Sequence, residues 1–132
     1  MAGELILIVE DNEKNLKLVR DVLQFKGYHT LEAETAEDGL ALAQSHQPDL
    51  ILMDIQLPGA DGVTALRQLR DEPRTASIPV VALTAFAMKD DRERFLEAGF
   101  DGYLDKPINV KEFPEQVRRF CEAGRKSDPK GL

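Results

Sequence analysis

L-I-L-M-D-I-Q-L-P-G, residues 50–59, sets four apolar residues before one carboxylate, Asp54, and then a Pro-Gly turn. A continuous apolar run without polar alternation suits a strand covered on both faces, as in a parallel sheet. Similar runs stand at Leu5 to Val9 and Val80 to Leu83, with weaker strand-like stretches at His29 to Ala33 and Gly102 to Leu104. The segments between them carry helical spacing. The order β-α repeated five times predicts an α/β fold, an open, doubly wound, five-stranded parallel sheet with helices on both faces. Asp54 then needs a reason, because a carboxylate closing an apolar strand loses solvation. Taken alone, it reads equally well as a turn-starting aspartate.

Leu16, Val19 and Leu23 mark the inner face of the first helical segment, Leu40 and Ala43 that of the second, and Val63, Leu66 and Leu69 that of the third. Phe95 with Leu96 serves the fourth, and Val110, Phe113, Val117 and Phe120 the fifth. Gly27, Gly99 and Gly124 follow these segments where helices tend to stop. Pro114 removes a helical hydrogen bond, so the fifth helix either starts near Phe113 or has a distorted first turn. One domain over residues 4–123 is expected, followed by a short, polar, frayed tail over 124–132.

The chain has 132 residues and one cysteine, Cys121, so no internal disulfide can form. Its start, M-A-G-E, has neither a basic segment nor an apolar core of the kind that directs export, and no apolar run approaches a membrane span. A cytoplasmic location is expected. Seventeen basic against 24 acidic residues give a net charge of −7, which disfavours direct contact with nucleic acid or anionic membranes. The basic cluster Arg118, Arg119, Arg125 and Lys126 reads as cations complementing the end of the last helix rather than as a binding patch.

In open α/β sheets the ligand crevice lies beyond the carboxyl ends of the strands. Glu10 and Asp11 follow the first apolar run, Asp54 the third, Thr84 the fourth, and Lys106 with Pro107 the fifth. Three carboxylates converging in one crevice repel each other unless a cation sits among them. No cysteine is at hand and His29 and His46 lie away from these ends, which leaves oxygen ligands and favours Mg²⁺ over zinc. Glu10 and Asp11 also have a plainer reading as a capping pair before the first helix. An ammonium from Lys106 and a hydroxyl from Thr84 can hold two oxygens of a transferring phosphoryl group, with Asp54 as the in-line nucleophile. Asp54 is therefore read as a phosphoryl acceptor.

With E-D-N at 10–12, M-D-I-Q-L-P-G at 53–59, D-G at 61–62, L-T-A at 83–85 and Y-L-D-K-P at 103–107, the chain resembles the receiver domains of two-component response regulators over about residues 4–123. T-A-F-A-M-K-D-D further resembles the stand-alone cell-cycle regulators and the receivers of hybrid kinases. The resemblance implies a flavodoxin-like strand order 2-1-3-4-5 and self-phosphorylation of Asp54 from a histidine kinase or phosphotransfer protein. It implies Mg²⁺ on Glu10, Asp11, Asp54 and the main-chain carbonyl of Gln56. Thr84 and Tyr103 would be the switch pair and Lys106 the phosphate contact, with a cis bond before Pro107. Gln56 and Phe86 would flank the path of hydrolytic water, and neither is a strong base, so slow self-dephosphorylation is expected.

The function expected is that of a single-domain response regulator, chiefly a signalling switch that catalyses its own phosphorylation. It would present a changed surface of the fourth helical segment, fifth strand and fifth helical segment to a downstream protein. The alternative is a receiver belonging to a hybrid kinase or larger regulator. A flavin carrier is disfavoured by acids after the first strand, and a dehalogenase-type phosphatase built on Asp11 by Glu13, where that enzyme would want an aspartate.

Overall fold

The computed structural model of the chain describes residues 3–55, 62–84, Glu93, 96–106 and 108–123. The elements are β1 (Leu5–Val9), α1 (Glu13–Phe25), β2 (His29–Ala33), α2 (Ala36–His46), β3 (Leu50–Asp54), α3 (Gly62–Asp71), β4 (Val80–Thr84), β5 (Gly102–Asp105) and a last helix, here α4 (Phe113–Ala123). The five strands form one parallel sheet of order β2-β1-β3-β4-β5. Of the fourth helical segment expected from the sequence, Glu93 and residues 96–98 are described as helical.

Strand alternation explains the two cores. Leu7, Val9, Ile51, Met53, Val80 and Ala82 point to the side covered by α2 and α3, where Ala43, Leu66 and Leu69 meet them. Ile6, Ile8, Leu50, Leu52, Val81 and Leu83 point to the side covered by α1 and α4, against Val19, Leu23, Phe113 and Val117. Every residue of β3 and β4 is buried. Each fully buried Leu, Ile or Val contributes about 1.5–3 kcal/mol relative to exposure, which fixes the middle of the sheet and hence its strand ends.

The helix starts follow local chemistry. Asn12 caps α1 by accepting from Asn15 N–H at 3.1 Å, and Thr35 caps α2 by accepting from Asp38 N–H at 3.1 Å. Gly27 takes the left-handed φ of 92° expected after α1, but α2 is ended by Gln47 at φ 47°, a stop with no glycine signature. Pro114 meets the first of its two alternatives, since the helix begins at Phe113 and the proline lies in its first turn. The helix is regular from Phe113, and residues 110–112 form a turn closed by Phe113 N–H on Asn109 O at 2.8 Å.

Three expectations about faces are corrected. Leu96 and Val110 are 46% and 52% exposed, so neither belongs to the core. Arg118 and Arg119 do not serve the helix C-terminus, because the last turn of α4 carries no basic residue. Instead Arg118 pairs with Glu115 at 2.5 Å and Glu122 at 3.6 Å, and Arg119 with Glu115 at 3.6 Å. The glycine at 102 has a packing cause, since a Cβ there would run into the Phe120 ring lying over the start of β5.

Candidate functional site

The carboxyl ends of β1, β3, β4 and β5 converge on one crevice. Glu10 continues the line of β1 because its N–H reaches Ala33 O at 2.9 Å, and this keeps its side chain fully buried. Asp54 closes β3 opposite Leu83, and Ile55 N–H holds that end to Leu83 O at 3.1 Å. Thr84 closes β4 opposite Asp105. Directly after β5, Lys106 N–H donates to Thr84 O at 2.8 Å, which draws the lysine back over the sheet end.

Lys106 Nζ stands 2.6 Å from Glu10 Oε1 and 3.0 Å from Asp54 Oδ2, bridging two carboxylates. Oxygens of Glu10, Asp11 and Asp54 all lie within 4.8 Å of one another. Asp54 and Thr84 are each only 5% exposed, whereas Asp11 is exposed and forms the mouth of the cluster. The structure brings Glu10, Asp11, Asp54 and Lys106, four of the residues singled out in the sequence, to one place.

Burial raises the Glu10 carboxyl above its ordinary range, and its hydrogen bond with Asp54 adds to this against the opposing pull of Lys106 and of Asn12 N–H. For Lys106, burial works against the ammonium, but the two carboxylates outweigh it and hold the group above the usual lysine range. The centre therefore keeps a surplus of negative charge that one ammonium only partly offsets.

Cation chemistry can be tested against this donor set. Glu10 Oε1 is buried and, despite the nearby ammonium, makes no hydrogen bond of acceptable angle, so it retains accepting capacity. An octahedral Mg²⁺ with oxygens at about 2.1 Å spans about 4.2 Å between opposite ligands, close to the spacing of the three carboxylates. His29 opens β2 at the other end of the sheet, and His46 sits at the end of α2 with Nδ1 3.0 Å from Ser45 Oγ. The residues present fit a hard, oxygen-seeking divalent ion.

Tyr103 is half-buried on β5, opposite Ala82, and packs against the core shared with α2 and α3. Gln56, Phe86 and Pro107, with the cis bond expected before Pro107, lie outside the described residues. Sequence reasoning missed two contacts. It gave Lys106 to a phosphate and not to Glu10, and it did not foresee Asn12 N–H donating to Glu10 Oε2 at 3.2 Å. The second was detectable, because an acid two residues before a helix-capping Asn is well placed for its N–H.

Residues 6–118 match the response regulator receiver domain family, and the chain belongs to it. It is 46% identical over 115 residues to the polar-differentiation response regulator DivK of Brucella ovis, covering 87% of this chain and 94% of that one. Among solved structures, the receiver domain of a sensor histidine kinase from Pseudomonas aeruginosa is 36% identical with TM-score 0.83, covering 92% of this chain and 99% of that one. That structure has a magnesium ion coordinated in its active-site cleft. A response regulator from Chloroflexus aurantiacus, described as putative, is 30% identical with TM-score 0.85, covering 91% and 98% of the two chains. The function of this family is phosphoryl acceptance in two-component signalling, and the chain is a response-regulator receiver.

Proposed function

We propose that Asp54 is the acceptor and that the chain works as a stand-alone, cytoplasmic response regulator. The observation that carries this is the ammonium of Lys106 held 3.0 Å from Asp54 Oδ2 beside two further carboxylates. An Asp54 oxygen bonds to phosphorus as the P–N bond of a donor phosphohistidine breaks, and the imidazole leaves with the electron pair and takes up a proton. Lys106 and Thr84 then hold phosphoryl oxygens. Glu10, Asp11, Asp54 and the carbonyl of Gln56 would hold Mg²⁺, which when bound offsets the charge of the incoming phosphoryl group.

The new charge of about −1.5 to −2 biases Thr84 toward the phosphate and Tyr103 into the space left behind. A downstream protein reads this on the fourth helical segment, β5 and α4. The higher identity to DivK, 46% against 36% for the kinase receiver, supports the stand-alone reading over a receiver within a larger protein. Among the described residues no helix is long and apolar enough to cross a membrane. Incubation with Mg²⁺ and acetyl phosphate, followed by intact mass, tests the acceptor. Wild type gains one phosphoryl mass and Asp54→Asn gains none; equal labelling of both rejects the assignment.

A further inference from the structure

Gly39 stands one turn into α2, where its N–H donates to the carbonyl of the capping Thr35 at 3.0 Å. Its backbone is not left-handed, since the glycines of positive φ among the described residues are Gly3, Gly27 and Gly99. Alanine would suit such a helical position better, because glycine loses more backbone freedom there. The reason for glycine therefore lies outside the helix. A Cβ on Gly39 would stand 2.8 Å from Val9 Cγ2 and 3.3 Å from Val9 Cγ1. Carbon atoms in contact prefer about 3.5–4.0 Å, and Val9 is fully buried and β-branched, so it has no easy rotamer in which to give way. Ala36 and Ala43, buried on the same helix, complete the small-residue seat by which α2 rests on the sheet.

Val9 is the last residue of β1 and is registered with Ala33 of β2 and Met53 of β3. Glu10 and Asp54 are the residues that follow Val9 and Met53, so this pair lies directly beneath two of the three clustered carboxylates. Resting on the reading of this crevice as a divalent-cation site, we propose that Gly39 is a positioning residue: by letting α2 close onto Val9, it sets where β1 ends and hence how far Glu10 and Asp11 stand from Asp54. A side chain at 39 must push α2 off the sheet or push Val9 away from α2. Val9 is bonded to Glu10, whose N–H is tied to Ala33 O at 2.9 Å, so the displacement passes into the acids. Mg²⁺ demands near-ideal octahedral geometry at about 2.0–2.1 Å and is sensitive to such a shift, whereas Ca²⁺ accepts longer and more varied bonds.

Calorimetric titrations of wild type, Gly39→Ala, Val9→Ala and the double variant with Mg²⁺ and with Ca²⁺ test this, together with amide spectra of the metal-free proteins. Gly39→Ala is expected to weaken Mg²⁺ binding by about tenfold, the scale of changes to groups that support a metal ligand. Ca²⁺ binding should weaken by less than about threefold, since its geometry is more tolerant. Removing the Val9 γ-methyls should reverse the loss, bringing the double variant to within about twofold of Val9→Ala, the coupling of residues in contact. In metal-free Gly39→Ala the amide signals of Glu10, Asp11 and Asp54 should shift while that of Asp101, at the opposite pole of the sheet, stays in place. Wild-type Mg²⁺ affinity in folded Gly39→Ala, an equal loss for both cations, or a loss that Val9→Ala does not reverse overturns the positioning role. If Gly39→Ala does not fold, Val9→Ile presses on the same contact from the strand side with one added carbon, and unchanged Mg²⁺ affinity there overturns it as well. Absence of Mg²⁺ binding in wild type, or full binding by Asp11→Asn, instead overturns the cation site on which the proposal rests.

Discussion

Lys106 Nζ reaches Asp54 Oδ2 at 3.0 Å although β4 lies between the strands that lead to them. The reach depends on β4, whose terminal Thr84 O accepts the Lys106 N–H at 2.8 Å and turns the chain back across the sheet end. A cation and an acceptor carboxylate far apart in sequence become neighbours because the strands between them end level. The chemistry of the crevice is therefore a property of strand register, and register is set by the apolar runs.

Asp11 is the exposed member of the acidic cluster, and its loss is expected to separate metal binding from folding. Asp11→Asn should abolish acetyl-phosphate labelling while far-ultraviolet circular dichroism stays unchanged. Without metal its melting temperature should rise by about 1–2 °C, since one of three crowded charges is gone but solvent screens it. A lower melting temperature in metal-free buffer would contradict the charge-cluster account.

A second ion pair, at the opposite pole of the sheet, carries stability and not chemistry. Asp101 is 3% exposed; its Oδ2 accepts from Arg70 Nη2 at 2.9 Å and from Val80 N–H at 2.9 Å. Arg70 also donates to the carbonyls of Ala76, Ile78 and Gly99. Asp101→Ala strands a buried guanidinium and a strand N–H, so a loss of about 3–5 kcal/mol is expected in urea unfolding. Labelling per folded molecule should persist; a loss below about 1 kcal/mol would show that the network is dispensable.

Cys121 supplies a pH signature. Burial first, then the carboxylates of Glu4 and Asp49, push its thiol up to about 12. The folded value lies above the unfolded value of about 8.5, so the stability this thiol contributes is complete below about pH 8.5 and is lost as pH rises toward about 12. Melting curves from pH 7.5 to 10 should fall more steeply for wild type than for Cys121→Ala. Native protein at pH 8.5 should react with iodoacetamide far more slowly than unfolded protein; equal rates would contradict the protected thiol.

The sheet was legible in the sequence because Leu50 to Met53 and Val80 to Leu83 are apolar on both faces, and only a doubly covered strand requires that. The crevice was legible for the same reason, since the first polar residue after each run sits at its carboxyl end. Helix faces were less so. Val110 precedes the regular part of α4, in a turn capped by Asn109 Oδ1 from Lys111 and Glu112 N–H, so its helical spacing with Phe113 does not carry it into the core. Gln47 ends α2 in a left-handed conformation that sequence composition assigns to glycine. The Glu10–Lys106 contact depends on side-chain reach between β1 and β5, and no pattern within either stretch encodes that distance.

Signal lifetime follows from the sequence at Gln56 and Phe86, two positions beyond Asp54 and Thr84. Neither side chain is a strong base, and we propose that Phe86 flanks the path of hydrolytic water and excludes it, so the phosphorylated state should decay slowly. After donor removal, Phe86→Ala and Phe86→Glu are expected to lose phosphate several-fold faster than wild type. Equal decay of all three proteins would remove the physical basis for a long lifetime.

The most direct measurement locates the phosphoryl group itself. Protein labelled with acetyl phosphate and Mg²⁺ is reduced with borohydride, which converts an aspartyl phosphate to homoserine, and is then mapped by peptide mass spectrometry. The account predicts homoserine at position 54 and at no other aspartate. Homoserine at Asp11, or labelled protein with Asp54 intact, would contradict it.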